Sequence, residues 1–449
     1  RVRTASRQSE IREYDLLGNR LAAWHAEGAI SSPGSVLVEG VNIFHHDQQR
    51  LPNGNYLVLD QADVTIDNFP TSDADRHAPT ESRIVRQDVI HEFTPAGEVI
   101  NSWSLLEMLD PVRIGYGVVK EPPAPQDWSH SNAVVYDASD DSIIVSVRHQ
   151  DAVIKFDKST GDLKWILGTH EAWGPQFRPY LLTPIGGDDF EWPFHTHSPQ
   201  ILPDDPSAPH GLDDLDKLTL LIHDNGNNRA IPFDPALPDE ENYTRAVEYR
   251  INEQDMTIEQ TWAYGKDAEQ ILYSPTAGDA DWMPVTNNVL IGFAGPTFID
   301  GESQPGRNAH IVEVDRSGKV VFQLVLSHPS DESTATITYR AERVPSLYDG
   351  SEYIATEITG LDGDFNGDRF VDGADLIRWQ RFRDPTESLS PWETGFGTAL
   401  QQESTTEIPE PPSVGLLAVM LLGCIVRQRR RGQTGPRPYV GQRMMSTSK

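Results

Sequence analysis

Short runs rich in Val and Ile alternate with Asp, Ser and Gly turns along most of the chain. The clearest stretch runs from Asp127 to Gly168: Ala-Val-Val-Tyr, Ser-Ile-Ile-Val-Ser-Val, Asp-Ala-Val-Ile-Lys-Phe and Asp-Leu-Lys-Trp-Ile-Leu, each closed by a polar turn. This pattern predicts four consecutive antiparallel strands, a meander. A lone meander has two open edges and cannot bury both faces, so it must sit among similar units. In such a unit the start of the first strand and the end of the second lie at one end of the sheet. That end carries His130, Arg148 and His149.

The unit has echoes. His46 stands five residues before Leu51, His130 before Val135 and His197 before Leu202, each leading a turn. Weaker echoes put Ala280 before Val285 and Tyr339 before Val344. Outer hairpins repeat too, with Phe93 to Gly97 leading to Trp103, Phe156 to Gly161 and Trp165, and Val314 to Gly318 and Phe322. Tyr249 leads to Trp262 through a longer turn. Strand-rich repeats of irregular length, roughly 40–70 residues, point to a β-propeller rather than a sandwich. Tyr14 to Trp24 reads as an outer hairpin with no inner pair before it, and the segment from Thr336 to Ile354 as inner strands with no outer pair after them. Joining the two closes a ring. About five blades can be counted this way, and segments 61–88 and 104–126 are long enough to hide a sixth.

The pattern stops near residue 358, which gives an all-β propeller over 1–358 followed by smaller pieces. Residues 359–384 hold a calcium-loop spacing: Asp364, Asn366, Asp368, the Phe370 carbonyl, Asp372 and Asp375 at loop positions 1, 3, 5, 7, 9 and 12. Arg369 stands where such loops use glycine. Residues 385–407 read as a polar linker. In 408–431, Pro409-Glu410-Pro411 precedes an apolar run of 13 residues, Val414 to Val426, and an arginine cluster; a tail follows over 432–449. A spanning helix prefers ~20 apolar residues, so this run is a short anchor at most.

The formal charge of −31 argues against nucleic acid as a partner, since phosphate neutralisation needs a basic surface. The single cysteine, Cys424, excludes an intrachain disulfide. The chain starts at Arg1 without methionine, which leaves any export signal to lie upstream.

On the propeller reading, strand-1 starts, strand-2 ends and strand-3 starts meet at one mouth of the central channel. His46, His130 and His197 precede first strands, Arg148, His149 and Arg229 follow second strands, and His310 begins a third. Imidazoles and guanidiniums converging with few carboxylates suit an anionic ligand. A metal site on His45-His46 or His195-x-His197 is the rival, without a cysteine to complete it. No Gly-x-x-x-x-Gly-Lys-Ser/Thr loop is present, so a nucleotide sulfate donor is not indicated.

At these residues the chain resembles the bacterial aryl-sulfate sulfotransferases. The likeness lies in Asp127-Trp-Ser-His130-Ser-Asn132, in Ser146-Val-Arg148-His-Gln-Asp-Ala-Val-Ile-Lys-Phe-Asp157, in Asp224-Asn225-Gly-Asn-Asn-Arg229, and in His310 with its following strand. It covers about residues 40–350. The resemblance implies a six-bladed propeller that moves a sulfuryl group from an aryl sulfate to a phenol without a nucleotide donor. It implies His310 as the sulfate-accepting histidine, His130, His197 and Arg229 as supporting cations and acid/base groups, and Arg148, Asn132 and Asn225 as substrate contacts. A non-catalytic propeller that binds sulfated or acidic glycans is the alternative. The calcium loop resembles half of a type I dockerin, which implies Ca2+ as a ligand. The Pro-Glu-Pro block resembles a PEP-CTERM sorting signal, which implies export to the cell envelope or beyond and an envelope or surface partner.

Overall fold

Turn glycines set the outer hairpins. Gly97, Gly161 and Gly318 have φ of +88°, +77° and +83°, a region in which only glycine is free of strain. They join the third and fourth strands of three of the meanders. The computed structural model describes residues 2–4, 10–15, 18–187, 190–203, 217–328 and 334–343, all within one unit, Arg1–Asp349. The calcium-loop residues Asp364, Asn366, Asp368, Phe370, Asp372 and Asp375, the linker and the apolar run lie outside the described residues.

The fold is an all-β propeller. Blade one comprises His45–Arg50, Tyr56–Pro70, Thr80–Phe93 and Val99–Ser104; blade two comprises Ser131–Asp137, Ser142–Val147, Ala152–Asp157 and Leu163–Gly168. Blade three comprises His197–Leu202, Lys217–Asp224, Arg245–Asn252 and Thr257–Tyr264; blade four comprises Asp279–Met283, Asn288–Phe293, Ala309–Val314 and Val320–Leu326. Each is a meander paired in chain order. The expected N-terminal hairpin is Glu10–Tyr14 with Arg20–His25, in a closing sheet with Val2–Thr4 and Val36–Leu37. Segments 61–88 and 104–126 do not hide another blade. The first extends the two middle strands of blade one into a long ribbon, and the second holds the helical turn Leu105–Met108 and the short strand Gln126–Asp127.

The cores lie between blades. One joins the closing sheet to blade one around Trp24, Tyr56 and Phe93; others join blade two to three around Trp165 and Tyr249, and three to four around Leu221 and Phe293. Tryptophans on the second strands of outer hairpins lock the order. The Nε1 of Trp24 donates to the Pro95 carbonyl, that of Trp165 to Glu253 Oε1 and that of Trp262 to the Arg316 carbonyl, each in the next blade. Phe322 holds the same position in blade four, 42% exposed, with the Arg343 guanidinium over its ring.

Among the described residues the innermost strands have no strand paired on the channel side, and side chains satisfy several of their amides. Val134 N donates to Asp47 Oδ2 and Tyr136 N to Gln49 Oε1, from blade two to blade one; Trp282 N donates to Gln200 Oε1, from blade four to blade three. Residues 336–341 bridge the hub. The Thr336 carbonyl accepts from Ala309 N, the Tyr339 carbonyl from Gly278 N, and Arg340 pairs with Asp47 at 3.0 Å. The channel beside them is a cavity of about 390 Å³ lined by residues including Gln48, Gln200, Asp281 and Arg340. Ala280 departs from the histidine echo: it is buried inside the first strand of blade four, opposite Ile291.

Candidate active site at the channel mouth

The chain turns sharply near the starts of first strands and, at Arg229, after a second strand. His46, His130, His195, Ser198 and Arg229 all have φ between +40° and +54°, a left-handed region that non-glycine residues occupy at a cost of about 1–3 kcal/mol each. At the mouth this geometry sets side-chain direction at the expense of backbone comfort. It aims imidazoles from three blades at one another. Ring centroids run from His45 to His46 (5.0 Å), His46 to His130 (5.1 Å), His130 to His149 (4.5 Å) and His149 to His195 (5.7 Å).

Asp127 orders this group. Its Oδ2 lies 2.7 Å from His130 Nδ1, and its backbone carbonyl accepts from His149 Nδ1 at 2.6 Å. The His149 proton is therefore on Nδ1, which leaves Nε2 to accept from Arg148 Nη1 at 2.8 Å. Burial, the Arg148 charge and His130 hold the His149 pKa well below the ordinary histidine value, so the ring is neutral. Sequence reading missed Asp127; its signal was the Asp-x-x-His spacing that ends at His130.

Arg148 and His149 enter through the 3-10 turn Arg148–Gln150, which closes the second strand of blade two. Arg148 is 8% exposed, and its second nitrogen donates to the Pro275 carbonyl at 3.1 Å. Among the described residues no carboxylate oxygen lies within 4 Å of its guanidinium. A buried guanidinium without a counter-ion costs several kcal/mol, and burial lowers its pKa. It is a ready partner for an anion.

His197 faces the same cation. Its Nδ1 lies 2.5 Å from Asn225 Oδ1, while the Asn225 amide nitrogen donates to the Ser274 and Ala277 carbonyls. Since Asn225 Nδ2 is spent as a donor, Oδ1 must accept and His197 must carry its proton on Nδ1. Among the described residues Nε2 has no hydrogen-bond partner. Burial, Arg148 and His223 hold the His197 pKa well below the ordinary value. The ring is a neutral imidazole with a free lone pair on Nε2.

Several expected contacts fall elsewhere. Arg229 does not offer its fork to a ligand: Nη1 pairs with Asp224 Oδ2 at 3.1 Å, Nη2 donates to the Tyr243 carbonyl at 2.7 Å, and the guanidinium lies 3.7 Å from the Tyr243 ring centre. Asp224 also takes Arg245 at 2.7 Å. The Asp224-to-Arg229 turn thus neutralises its own cation. Asn132 is wholly buried and ties blade two to the Thr196 carbonyl at 2.7 Å. Asn225 acts through His197 rather than on a substrate. His310 begins its strand as expected, opposite Phe293. It is 7% exposed, with Nδ1 unpartnered among the described residues and its pKa lowered by burial alone. Among the described residues it makes no ring contact with the other histidines.

Of the metal pairs, His45 is engaged by Asp88 Oδ1 at 3.2 Å and by His46 at 2.8 Å. Burial opposes its charge, but Asp88 outweighs burial and its pKa is raised. His195 Nδ1 lies 2.8 Å from Asp151 Oδ1. A different trio, Asp127, His130 and His149, brings its potential ligand atoms within 4.8 Å of one another, though both imidazoles already use Nδ1 on Asp127 itself.

The family model for arylsulfotransferases (ASST) matches residues 3–340. An arylsulfate sulfotransferase, AssT, from Escherichia coli O6:H1 is 27% identical over 346 residues, covering 67% of this chain and 53% of that protein. The AssT of Lelliottia amnigena is 29% identical over 265 residues, covering 49% and 41%. The chain thus spans about half the length of the curated relatives it matches. Among solved structures, a Bacteroides caccae protein of unknown function is 13% identical, with a TM-score of 0.34 over 75% of this chain and 84% of that one. A Synechocystis apocarotenoid oxygenase mutant is 9% identical, with a TM-score of 0.32 over 72% and 57%. Overlays this loose inform neither fold nor function.

Proposed function

The chain belongs to the arylsulfotransferase family, and from that premise we propose that it moves a sulfuryl group from an aryl sulfate to a phenol through a sulfohistidine, without a nucleotide donor. One observation carries the reading: Arg148 is a buried guanidinium with no carboxylate within reach among the described residues, set beside neutral imidazoles. Charge on a transferring sulfuryl group is shared by three oxygens, and a preorganised cation in a water-poor site stabilises it.

The chemistry divides into two displacements. His197 Nε2 attacks sulfur; the S–N bond forms, the S–O bond to the aryl group breaks, and the aryl oxide takes a proton from His130, the general acid. A phenol leaves well because its pKa is about 10. In the second half the acceptor phenol returns that proton to His130 and attacks sulfur, and the S–N electrons go back to Nε2. Asp127 holds His130 and Asn225 holds His197. The family likeness favours His310 as the sulfated residue instead, and its unpartnered Nδ1 keeps that second reading open to the same experiment.

Purified protein is mixed with a chromogenic aryl sulfate, with and without a phenol acceptor. Multiple turnovers with acceptor, and a labile SO3 adduct mapped to His197 after rapid quenching, are the expected results. An adduct on His310, with His197→Ala retaining it, transfers the nucleophile's role. Binding of sulfated glycans with no release of phenol from any aryl sulfate would replace transfer by a static anion site.

The C-terminal pieces enter the proposal from sequence alone. Ca2+ binds at Asp364, Asn366, Asp368, Phe370, Asp372 and Asp375, and the protein is exported, with Val414 to Lys449 removed on sorting. Intact-mass measurement of envelope material and calcium titration test the two.

A further inference from the structure

In the sequence Tyr339 holds, by the weaker echo, the offset that His46, His130 and His197 hold in the other repeats. Its ring centre is 6.2 Å from that of His46 and 6.2 Å from that of His197, so the phenol stands between blade one and blade three at the mouth. It is pinned there by backbone. Its carbonyl accepts from Gly278 N at 3.0 Å, Ala341 N donates to Asp279 Oδ2 at 2.9 Å, and Arg340 donates to Asp47 Oδ1 at 3.0 Å. The other tyrosines near the mouth are spent: Tyr243 Oη donates to Glu191 Oε2 at 2.8 Å, and Tyr273 is hydrogen-bonded to Asp239. Among the described residues the Tyr339 hydroxyl has no hydrogen-bond partner, and the residue as a whole is 38% exposed. The Arg148 charge acts on this phenol, as the phenol acts on Arg148.

We propose that Tyr339 is an internal sulfuryl acceptor, sulfated on Oη by the enzyme's own donor when no external phenol is present. The inference rests on the sulfuryl-transfer reading. An enzyme that delivers sulfuryl groups to phenols, and holds a phenol with a free hydroxyl beside the sulfated imidazole, has an acceptor built in. The balance is that of ordinary transfer. The S–N bond breaks and its electrons return to the imidazole, the S–Oη bond forms, and the Tyr339 proton passes to the His46–His130 pair, whose ring centres are 5.1 Å apart. Burial raises the Tyr339 pKa, so the hydroxyl needs this base in order to react. The product sets an aryl sulfate beside Arg148 and fills the anion site. Self-sulfation thus shuts the mouth when donor is plentiful and acceptor scarce, and added phenol reopens it by the reverse transfer.

Full-length protein is incubated with p-nitrophenyl sulfate alone, desalted, and mapped by electron-transfer fragmentation, which retains sulfate on tyrosine. The expected result is one SO3 on Tyr339, with a progressive fall in initial rate that excess phenol restores. Tyr339→Phe keeps the ring and loses only the hydroxyl, and its fold is checked by its melting curve. It should carry no such adduct and show no donor-dependent inactivation. An unmodified Tyr339 in a protein that still transfers sulfate to added phenol overturns the inference alone. An unmodified Tyr339 with no transfer overturns the inference and the function together. Equal donor-dependent inactivation in Tyr339→Phe also overturns it.

Discussion

Two arginines that look alike in sequence have opposite situations. Arg229 follows a Gly-Asn-Asn turn and spends its fork on Asp224 and Tyr243, whereas Arg148 has an imidazole and one carbonyl. Arg148→Lys should therefore lower kcat by on the order of 10²–10³, the usual loss when one contact to developing charge is removed. Arg229→Lys should act mainly on the melting temperature, because it disturbs Asp224 beneath the Asn225 turn. Measuring both quantities on both variants decides the assignment; equal losses of kcat at unchanged melting temperature would return Arg229 to the substrate. Asp127→Asn is the finer probe. It removes the carboxylate from His130 but leaves the backbone carbonyl that fixes His149, so kcat should fall by roughly 10² or more, as when a catalytic histidine loses the group that sets its tautomer. A loss confined to KM would place Asp127 outside the chemistry. The histidines at the mouth were legible because first strands begin at equal offsets from their turns. The free cation was not, because whether a guanidinium is neutralised depends on a left-handed turn folding it onto a carboxylate five residues back.

Strands were the legible scale. A glycine turn followed four to six residues later by Trp or Phe marked the outer hairpins at Gly18, Gly97, Gly161 and Gly318, since such a turn needs φ above zero; the hairpin that leads to Trp262 has no glycine in its turn. Where the pattern misled, length was the reason: Tyr56–Pro70 and Thr80–Phe93 run past the blade as a ribbon, and their excess residues read as room for another repeat. A buried cation locks the middle of the molecule. Lys155, 1% exposed, meets Asp137 at 2.8 Å, Asp140 at 3.0 Å and Glu253 of the next blade at 2.8 Å. Lys155→Ala leaves the Asp137 carboxylate buried and unpaired. It should cost about 3–5 kcal/mol, the usual penalty for breaking a buried pair from one side, read as a shift in the denaturant midpoint. A cost below about 1 kcal/mol would mean that water reaches these carboxylates and the pair behaves as a surface one.

For the whole molecule the formal charge of −31 was countable but its placement was not. Two carboxylates in contrasting settings show what placement does. Glu92 is buried between Asn55, Asn101 and Lys158. Burial opposes its charge, but the hydrogen bonds from Asn55 and Lys158 outweigh burial and bring its pKa down to about 2. Its contribution to stability is present above the unfolded value of about 4.3 and is lost as pH falls toward the folded one. Asp281, on the channel wall with Asp279 and Glu342, has the opposite environment. Burial and the Glu342 charge raise its pKa to about 6, against the pull of Arg340. Its folded pKa lies above the unfolded value, so the native state is favoured while the group is protonated, and that advantage is lost as pH rises from about 4 through about 6. Asp281→Asn should therefore match the parent near pH 4 and exceed it by up to about 3 kcal/mol near pH 8. Glu92→Gln should flatten the acid limb alone. Denaturant unfolding of both variants across this range checks the pair; an Asp281→Asn protein no more stable than the parent at the alkaline end would show that the channel carboxylates are solvated and ionise freely in the native state.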